Sequence, residues 1–305
     1  PVLNSALSGL DEALWDIKGK RANMPVYQLL GGKSRFALDT YAHVNASSPE
    51  AVAESTLNAM SKGYRAVRFS ISNNSNAAET AAAPYRAGGF GYDGDAYFNI
   101  PKYLKDAPKM LEAIRTRCGE DIGIIHDIHE RIQPMDAINL CKRFEEYRPL
   151  FIEDPFSPEN MEWFDLLRQT TSCPIAMGEL FTNQNEWKMP VVKRHFDYIR
   201  IHISQIGGIT PAMKVARLCE WFGVKVAWHG PGDCSPVGHA ANAHVDFAVR
   251  NFGVQETVVF SDKLKEIFPG HTYVKDGYMY VNEAPGLGVD FNEKLDHKIS
   301  EFPHP

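Results

Sequence analysis

Three short stretches constrain what this chain can fold into. Ile124-Ile125-His126-Asp127, Phe151-Ile152-Glu153 and Ala176-Met177-Gly178-Glu179 each run up to a carboxylate, and the carboxylates fall 26 residues apart. A strand, a helix and two connecting loops fill that length, as in a βαβ crossover. Asp127, Glu153 and Glu179 are therefore expected at the C-terminal ends of three successive parallel strands. Side by side, three carboxylates repel, and burying them unpaired is prohibitive. A hard divalent cation removes both problems. Mg²⁺ in particular favours oxygen ligands in an octahedral shell shared with water and substrate. A polar cap where a strand meets solvent would account for one such residue, but it does not account for three at equal spacing.

The same rhythm extends in both directions. Strands are expected at 38–44, 64–69, 122–126, 150–153, 174–178, 198–202, 224–228 and 253–256. Helices fall between them, closed by signals such as Gly63 after 49–62. The strands are apolar runs rather than alternating ones, as a parallel sheet buried on both faces requires. Eight βα units predict an α/β fold of the (β/α)8 TIM-barrel type over residues 1–260. Residues 261–305 are expected to pack outside the barrel as turns and short strands. The chain opens on an amphipathic helix with Leu7, Leu10, Ala13, Leu14 and Ile17 at helical spacing. A Ser-, Ala-, Gly- and Asn-rich insertion at about 71–100 follows the second strand, where it reads as a lid at the active-site face.

Composition narrows the function. The chain has 305 residues and a net charge of −6 without a basic cluster, which argues against nucleic acid as a partner. No apolar run approaches the roughly 20 residues of a membrane span. The five cysteines (118, 141, 173, 219 and 234) include no CxxC, so reduced thiols and a cytoplasmic location are expected.

The strand ends share one rim, and it is crowded with charge. It gathers His43, Arg68, Asp127, His129, Arg131, Glu153, Glu179, Arg200, His202, His229, Asp233 and Glu256, where packing alone would favour Val, Ile and Leu. His129 lies two residues past Asp127 and would share its side of a continuing strand. Arg200 is either an ion-pair partner or a bidentate clamp for an acid substrate. Glu256 could balance a nearby arginine.

The motifs HDIHERIQP, FIEDPFSPEN, MGELF, YIRIHISQIGGIT, WHGPGDCSPVGHAAN and FGVQE resemble the mannonate dehydratase subgroup of the enolase superfamily. That subgroup takes in gluconate dehydratases and starvation-sensing RspA proteins. ALSGLDEALWDIKGKRANMPVYQLLGG resembles the start of those barrels, and the capping domain before it is expected to be absent. The resemblance implies that Asp127, Glu153 and Glu179 bind Mg²⁺ and that His129 is the acid for the departing β-hydroxyl. It implies that Arg68 assists a tyrosine base, and that His43, Glu179, Arg200, His229, Asp233 and Glu256 contact an acid sugar. It also implies a homo-oligomer. The chain departs from the subgroup in having Thr80 at the base-tyrosine position, with Tyr85 nearby, and Pro231 where mannonate dehydratases carry alanine.

The reaction expected is Mg²⁺-dependent dehydration of D-gluconate or D-mannonate to 2-keto-3-deoxy-gluconate, with Tyr85 and Arg68, or His229, supplying the base. Two rivals stand beside it. A non-catalytic sensing relative would bind metal and sugar acid without turnover, and a glycoside hydrolase would work on two carboxylates without metal.

Overall fold

The computed structural model describes residues 2–71 and 98–298. Nearly all of the expected lid, including Thr80 and Tyr85, lies outside the described residues. In chain order the strands are β1 (Leu38–Asp39), β2 (Tyr41–His43), β3 (Ala66–Phe69), β4 (Gly123–Asp127), β5 (Phe151–Glu153), β6 (Ile175–Met177), β7 (Tyr198–Ile199), β8 (Lys225–Val226), β9 (Tyr273–Lys275) and β10 (Tyr278–Tyr280). The chain forms two compact units. One comprises Ala42–Lys62 and Ala66–Pro174; the other comprises Pro1–Tyr41, Gly63–Arg65 and Ile175–Pro305.

In the first of these units β3, β4 and β5 are parallel neighbours, with Ala66 opposite Gly123 and Asp127 opposite Glu153. Their side chains fill its core. Val67, Phe69, Ile124, Ile125, Phe151 and Ile152 are at most 1% exposed, alongside Phe144 and Phe164 from the covering helices. Each such residue contributes about 1.5–3 kcal/mol of burial. The helix Pro49–Ser61 starts where Ser48 accepts a bond from the Ala51 amide, and it buries Val52, Ala53, Thr56 and Ala59. Asn99 caps the helix Ile100–Cys118 in the same way, through the Lys102 amide.

In the second unit β6, β7 and β8 are parallel neighbours. The strand expected at 253–256 is reduced to two isolated bridges, Val226 with Phe252 and Thr40 with Gln255. Gly253 explains the irregularity. A Cβ there would lie 2.6 Å from the Tyr198 ring, so the backbone runs against an aromatic face rather than along a regular ladder. The segment still donates from Gly253 N to Val226 O and from Gln255 N to Asp39 O, both at 2.9 Å.

The strand expected at 38–44 divides in two. β1 leaves the parallel set and pairs antiparallel with β10, Leu38 opposite Met279. β10 in turn pairs with β9 across Asp276 (φ 52°) and Gly277 (φ 72°). That Asp-Gly pair, both residues at positive φ, suits a tight two-residue hairpin. Leu38 and Met279 join Tyr27, Ala243, Phe247 and Val281 in one apolar cluster.

The first helix, Val2–Ala22, turns the opposite way from its hydrophobic periodicity. Leu7, Leu10, Leu14 and Ile17 are all more than half exposed, whereas Ser8, Glu12 and Gly19 are buried. Polar bonds and close approach set this orientation. Ser8 Oγ donates to Ile203 O and accepts from Gly207 N, Ser204 donates to Glu12, and a Cβ on Gly19 would meet Gly286 at 2.7 Å.

Candidate active site

In the unit built from Ala42–Lys62 and Ala66–Pro174, the charged groups gather where β3, β4 and β5 end. The register that sets Asp127 opposite Glu153 puts both carboxylates at the same level. Asp154 joins them, and carboxylate oxygens of the three lie within 4.8 Å of one another. All three residues are buried. Strand alternation would send Asp154 away from Glu153, but its φ of 40° turns the chain at that point. Arg68, from the middle of β3, donates through Nε to Glu153 Oε2 at 3.0 Å and through Nη2 to Asp127 Oδ2. Its Nη1 is 3.5 Å from His43 Nδ1. The three buried carboxylates beside the Arg68 guanidinium make an all-oxygen donor set. That chemistry fits a hard divalent cation such as Mg²⁺.

His129 follows on the β4 loop, with Nε2 3.5 Å from Asp127 Oδ2. Its ring is reached through an unusual backbone. His129 (φ 60°) and Glu130 (φ 51°) are consecutive non-glycine residues in the left-handed region, a conformation that costs about 1–3 kcal/mol each and gathers at functional sites. Two bonds hold the turn, Ile128 N to Glu153 O and Glu130 N to Asp154 O, both 3.0 Å. His126, one residue before Asp127, points into the core, where its Nε2 is 2.7 Å from Tyr103 Oη and burial pushes its pKa down to about 3.

In the other unit the groups follow β6, β7 and β8. Gly178 (φ 138°) turns the chain just before Glu179, in space too tight for a Cβ, which would sit 3.2 Å from Ile201 N. Glu179 Oε2 lies 3.4 Å from His229 Nδ1. That nitrogen is also 3.2 Å from Glu256 Oε2. Glu256, itself buried, accepts from Arg200 Nη2 and from Gly230 N, both at 2.9 Å. Arg200 is 0% exposed and also donates to Ala227 O. Arg200 and Glu256 thus form a buried ion pair. His202 packs edge-on against His229, ring centres 5.4 Å apart, and burial first, then the neighbouring His229, pushes its pKa down to about 4. Asp233 is exposed on the turn after β8. Cys234 beside it is buried, which pushes its thiol up to about 12 and leaves it inert.

Asp154 and Glu130 were not singled out from the sequence. Asp154 directly follows Glu153, and a period-of-two reading assigns it to the opposite face. The signal for Arg131 was its place just past the third expected strand, on the charged rim.

Comparison with known proteins places this site in context. Residues 51–295 match the family described as enolase C-terminal domain-like. Residues 2–31 match the mandelate racemase / muconate lactonizing enzyme N-terminal domain, so the opening helix read as the start of a barrel is shared with that domain. A crystal structure of an enolase from Pantoea ananatis with bound D-gluconate and Mg is 45% identical, with a TM-score of 0.92 over 100% of this chain and 75% of that one. A D-galactonate dehydratase family member, RspA, from Pantoea ananatis is 46% identical over 98% of this chain and 75% of its own. Another member, from Enterococcus gallinarum, is 42% identical over 96% of this chain and 72% of its own. Carboxylates at the ends of parallel strands, together with these matches, define a lyase of the enolase superfamily, with an α/β fold of the TIM-barrel type. Within that class the chain belongs to the D-galactonate dehydratase family. Membership sets aside the glycoside hydrolase reading.

Proposed function

We propose that the protein dehydrates six-carbon acid sugars, D-gluconate and D-mannonate, to 2-keto-3-deoxy-gluconate in an Mg²⁺-dependent reaction. The observation that carries this reading is the buried Asp127–Glu153–Asp154 oxygen cluster with His129 Nε2 3.5 Å from Asp127. The Pantoea ananatis enolase, 45% identical, holds D-gluconate and Mg, which supports the ligand class. Asp127, Glu153 and Glu179 would hold the ion. When bound, Mg²⁺ supplies positive charge at the substrate carboxylate, which makes the adjacent C–H more acidic.

The chain's own residues do the rest. The α-proton goes either to Tyr85, assisted by Arg68, or to His229. Glu256 and Arg200 are assigned the task of orienting His229 from one side, a carboxylate–histidine arrangement suited to a base. His43 and Asp233 are assigned to the sugar hydroxyls. His129 gives a proton from Nε2 to the 3-oxygen as it departs, and the resulting enol becomes the 2-keto acid. Homo-oligomers and a cytoplasmic setting remain part of the proposal; among the described residues, no helix is long and apolar enough to cross a membrane.

Replacing His129 with Asn should lower dehydration by roughly 10²- to 10⁴-fold, the range for loss of a general acid. Mg²⁺ affinity, measured by calorimetry, should stay within a factor of three of wild type, about 0.6 kcal/mol. Unchanged turnover in that variant would refute the assignment. A non-catalytic sensing relative is the second reading; it predicts sugar-acid binding to the Mg²⁺-loaded protein with no product from any acid sugar tested.

A further inference from the structure

Arg131 lies two residues beyond His129, outside the cluster of carboxylates, and its guanidinium makes three directed contacts. Nη2 is 2.9 Å from His129 Nδ1. Nη1 donates to the Ile71 carbonyl at 3.2 Å. The guanidinium carbon stands 5.7 Å from the centre of the Phe98 ring, within cation–π range. An exposed arginine ordinarily gains little from any single partner and loses about 2 kcal/mol of rotamer freedom when held. Three partners on three separate segments are a different case, since one rigid planar group is fixed by all of them.

The bond to His129 has a definite chemical sense. A guanidinium can only donate, so Nδ1 accepts and the ring proton resides on Nε2. Nε2 is also the nitrogen that faces Asp127 Oδ2 at 3.5 Å. The left-handed pair His129 (φ 60°) and Glu130 (φ 51°) turns the chain between Asp127 and Arg131, and across that turn the two side chains meet. The local backbone strain and the Arg131 contacts thus act on one side chain.

From this we propose that Arg131 is a positioning residue for the elimination step. It holds the His129 imidazole by Nδ1, fixes the tautomer with the proton on Nε2, and aims that proton at the departing hydroxyl. The inference rests on the dehydratase reading above. As the C3–O bond breaks, its electron pair leaves with oxygen, which takes the Nε2 proton and departs as water. The guanidinium on Nδ1 offsets the negative charge left on the ring until solvent returns a proton. A neutral imidazole acting as an electrophile in this way has precedent among proton-transfer enzymes. Arg131 touches neither the α-proton nor the carboxylates, so proton abstraction and Mg²⁺ binding do not depend on it.

The test separates the two half-reactions in D₂O with Mg²⁺ and D-gluconate or D-mannonate. Deuterium appearing at C2 of recovered substrate reports proton abstraction, and 2-keto-3-deoxy acid reports elimination. Arg131→Ala should slow elimination roughly 10- to 100-fold, as expected when a catalytic group is misplaced. Its deuterium exchange at C2, Mg²⁺ affinity and melting temperature should match wild type. Added methylguanidine should restore part of the lost rate, and Arg131→Lys should fall between wild type and Arg131→Ala. Two results would overturn the proposal: an unchanged ratio of elimination to exchange in Arg131→Ala, or a parallel loss of exchange, elimination and Mg²⁺ binding. Failure of the wild-type protein to give either exchange or product would instead overturn the dehydratase reading, and this inference with it.

Discussion

Glu12 lies on the buried side of the first helix, facing Ser204, and its pKa is raised to about 7, by burial first, against the lowering effect of the Ser204 bond. A carboxyl with a folded pKa above its unfolded value of 4.5 binds more protons folded than unfolded between those two values. Stability should therefore fall as pH rises from 4.5 through 7 and stay lower above that, by up to about 3 kcal/mol. Glu12→Gln should remove this slope: in urea unfolding it should gain about 1–3 kcal/mol over wild type at pH 8 and little at pH 5. Equal differences at the two pH values would show that the pKa of Glu12 does not change on folding. The residues that were legible in the sequence share a cause. Asp127, Glu153 and Glu179 each end a buried run, so position along the chain already encoded position on the sheet. Asp154 was not legible, because a φ of 40° breaks the alternation on which the reading depends. The Arg200–Glu256 pair joins residues 56 positions apart, and only the fold brings its 2.9 Å contact about.

At the scale of elements, strand and helix order followed from periodicity, whereas three departures followed from backbone contacts that periodicity does not report. The segment after β8 yields a ladder to Gly253 and the Tyr198 ring. β1 is drawn off by the β9–β10 hairpin, through Leu38 and Met279. The first helix buries Ser8, Glu12 and Gly19 because polar bonds and a glycine contact are available on that side. Gly253→Ala tests the first of these. Its Cβ would meet the Tyr198 ring at 2.6 Å, so an overpacking cost of about 1–3 kcal/mol is expected by denaturant titration. A cost below about 0.5 kcal/mol, the scale of ordinary surface substitutions, would mean that the ring moves aside freely.

For the whole molecule, the family relation and the carboxylate cluster converge on one account: a lyase of the enolase superfamily whose buried oxygens suit a divalent ion. Binding to the folded state alone should stabilise it, by about 2.7 kcal/mol when Mg²⁺ is at 100 times its dissociation constant. Asp127→Asn or Glu153→Gln should erase that gain, read as the Mg²⁺-dependent rise in melting temperature. Unaltered stabilisation in both variants would place the ion elsewhere. The most direct measurement is turnover on a panel of six-carbon acid sugars that includes D-gluconate and D-mannonate, run with Mg²⁺ and with EDTA. The account predicts 2-keto-3-deoxy-gluconate from at least one of the two, abolished by EDTA and restored by Mg²⁺. Product formation that persists after complete chelation, or Mg²⁺ binding without product from any sugar in the panel, would contradict it.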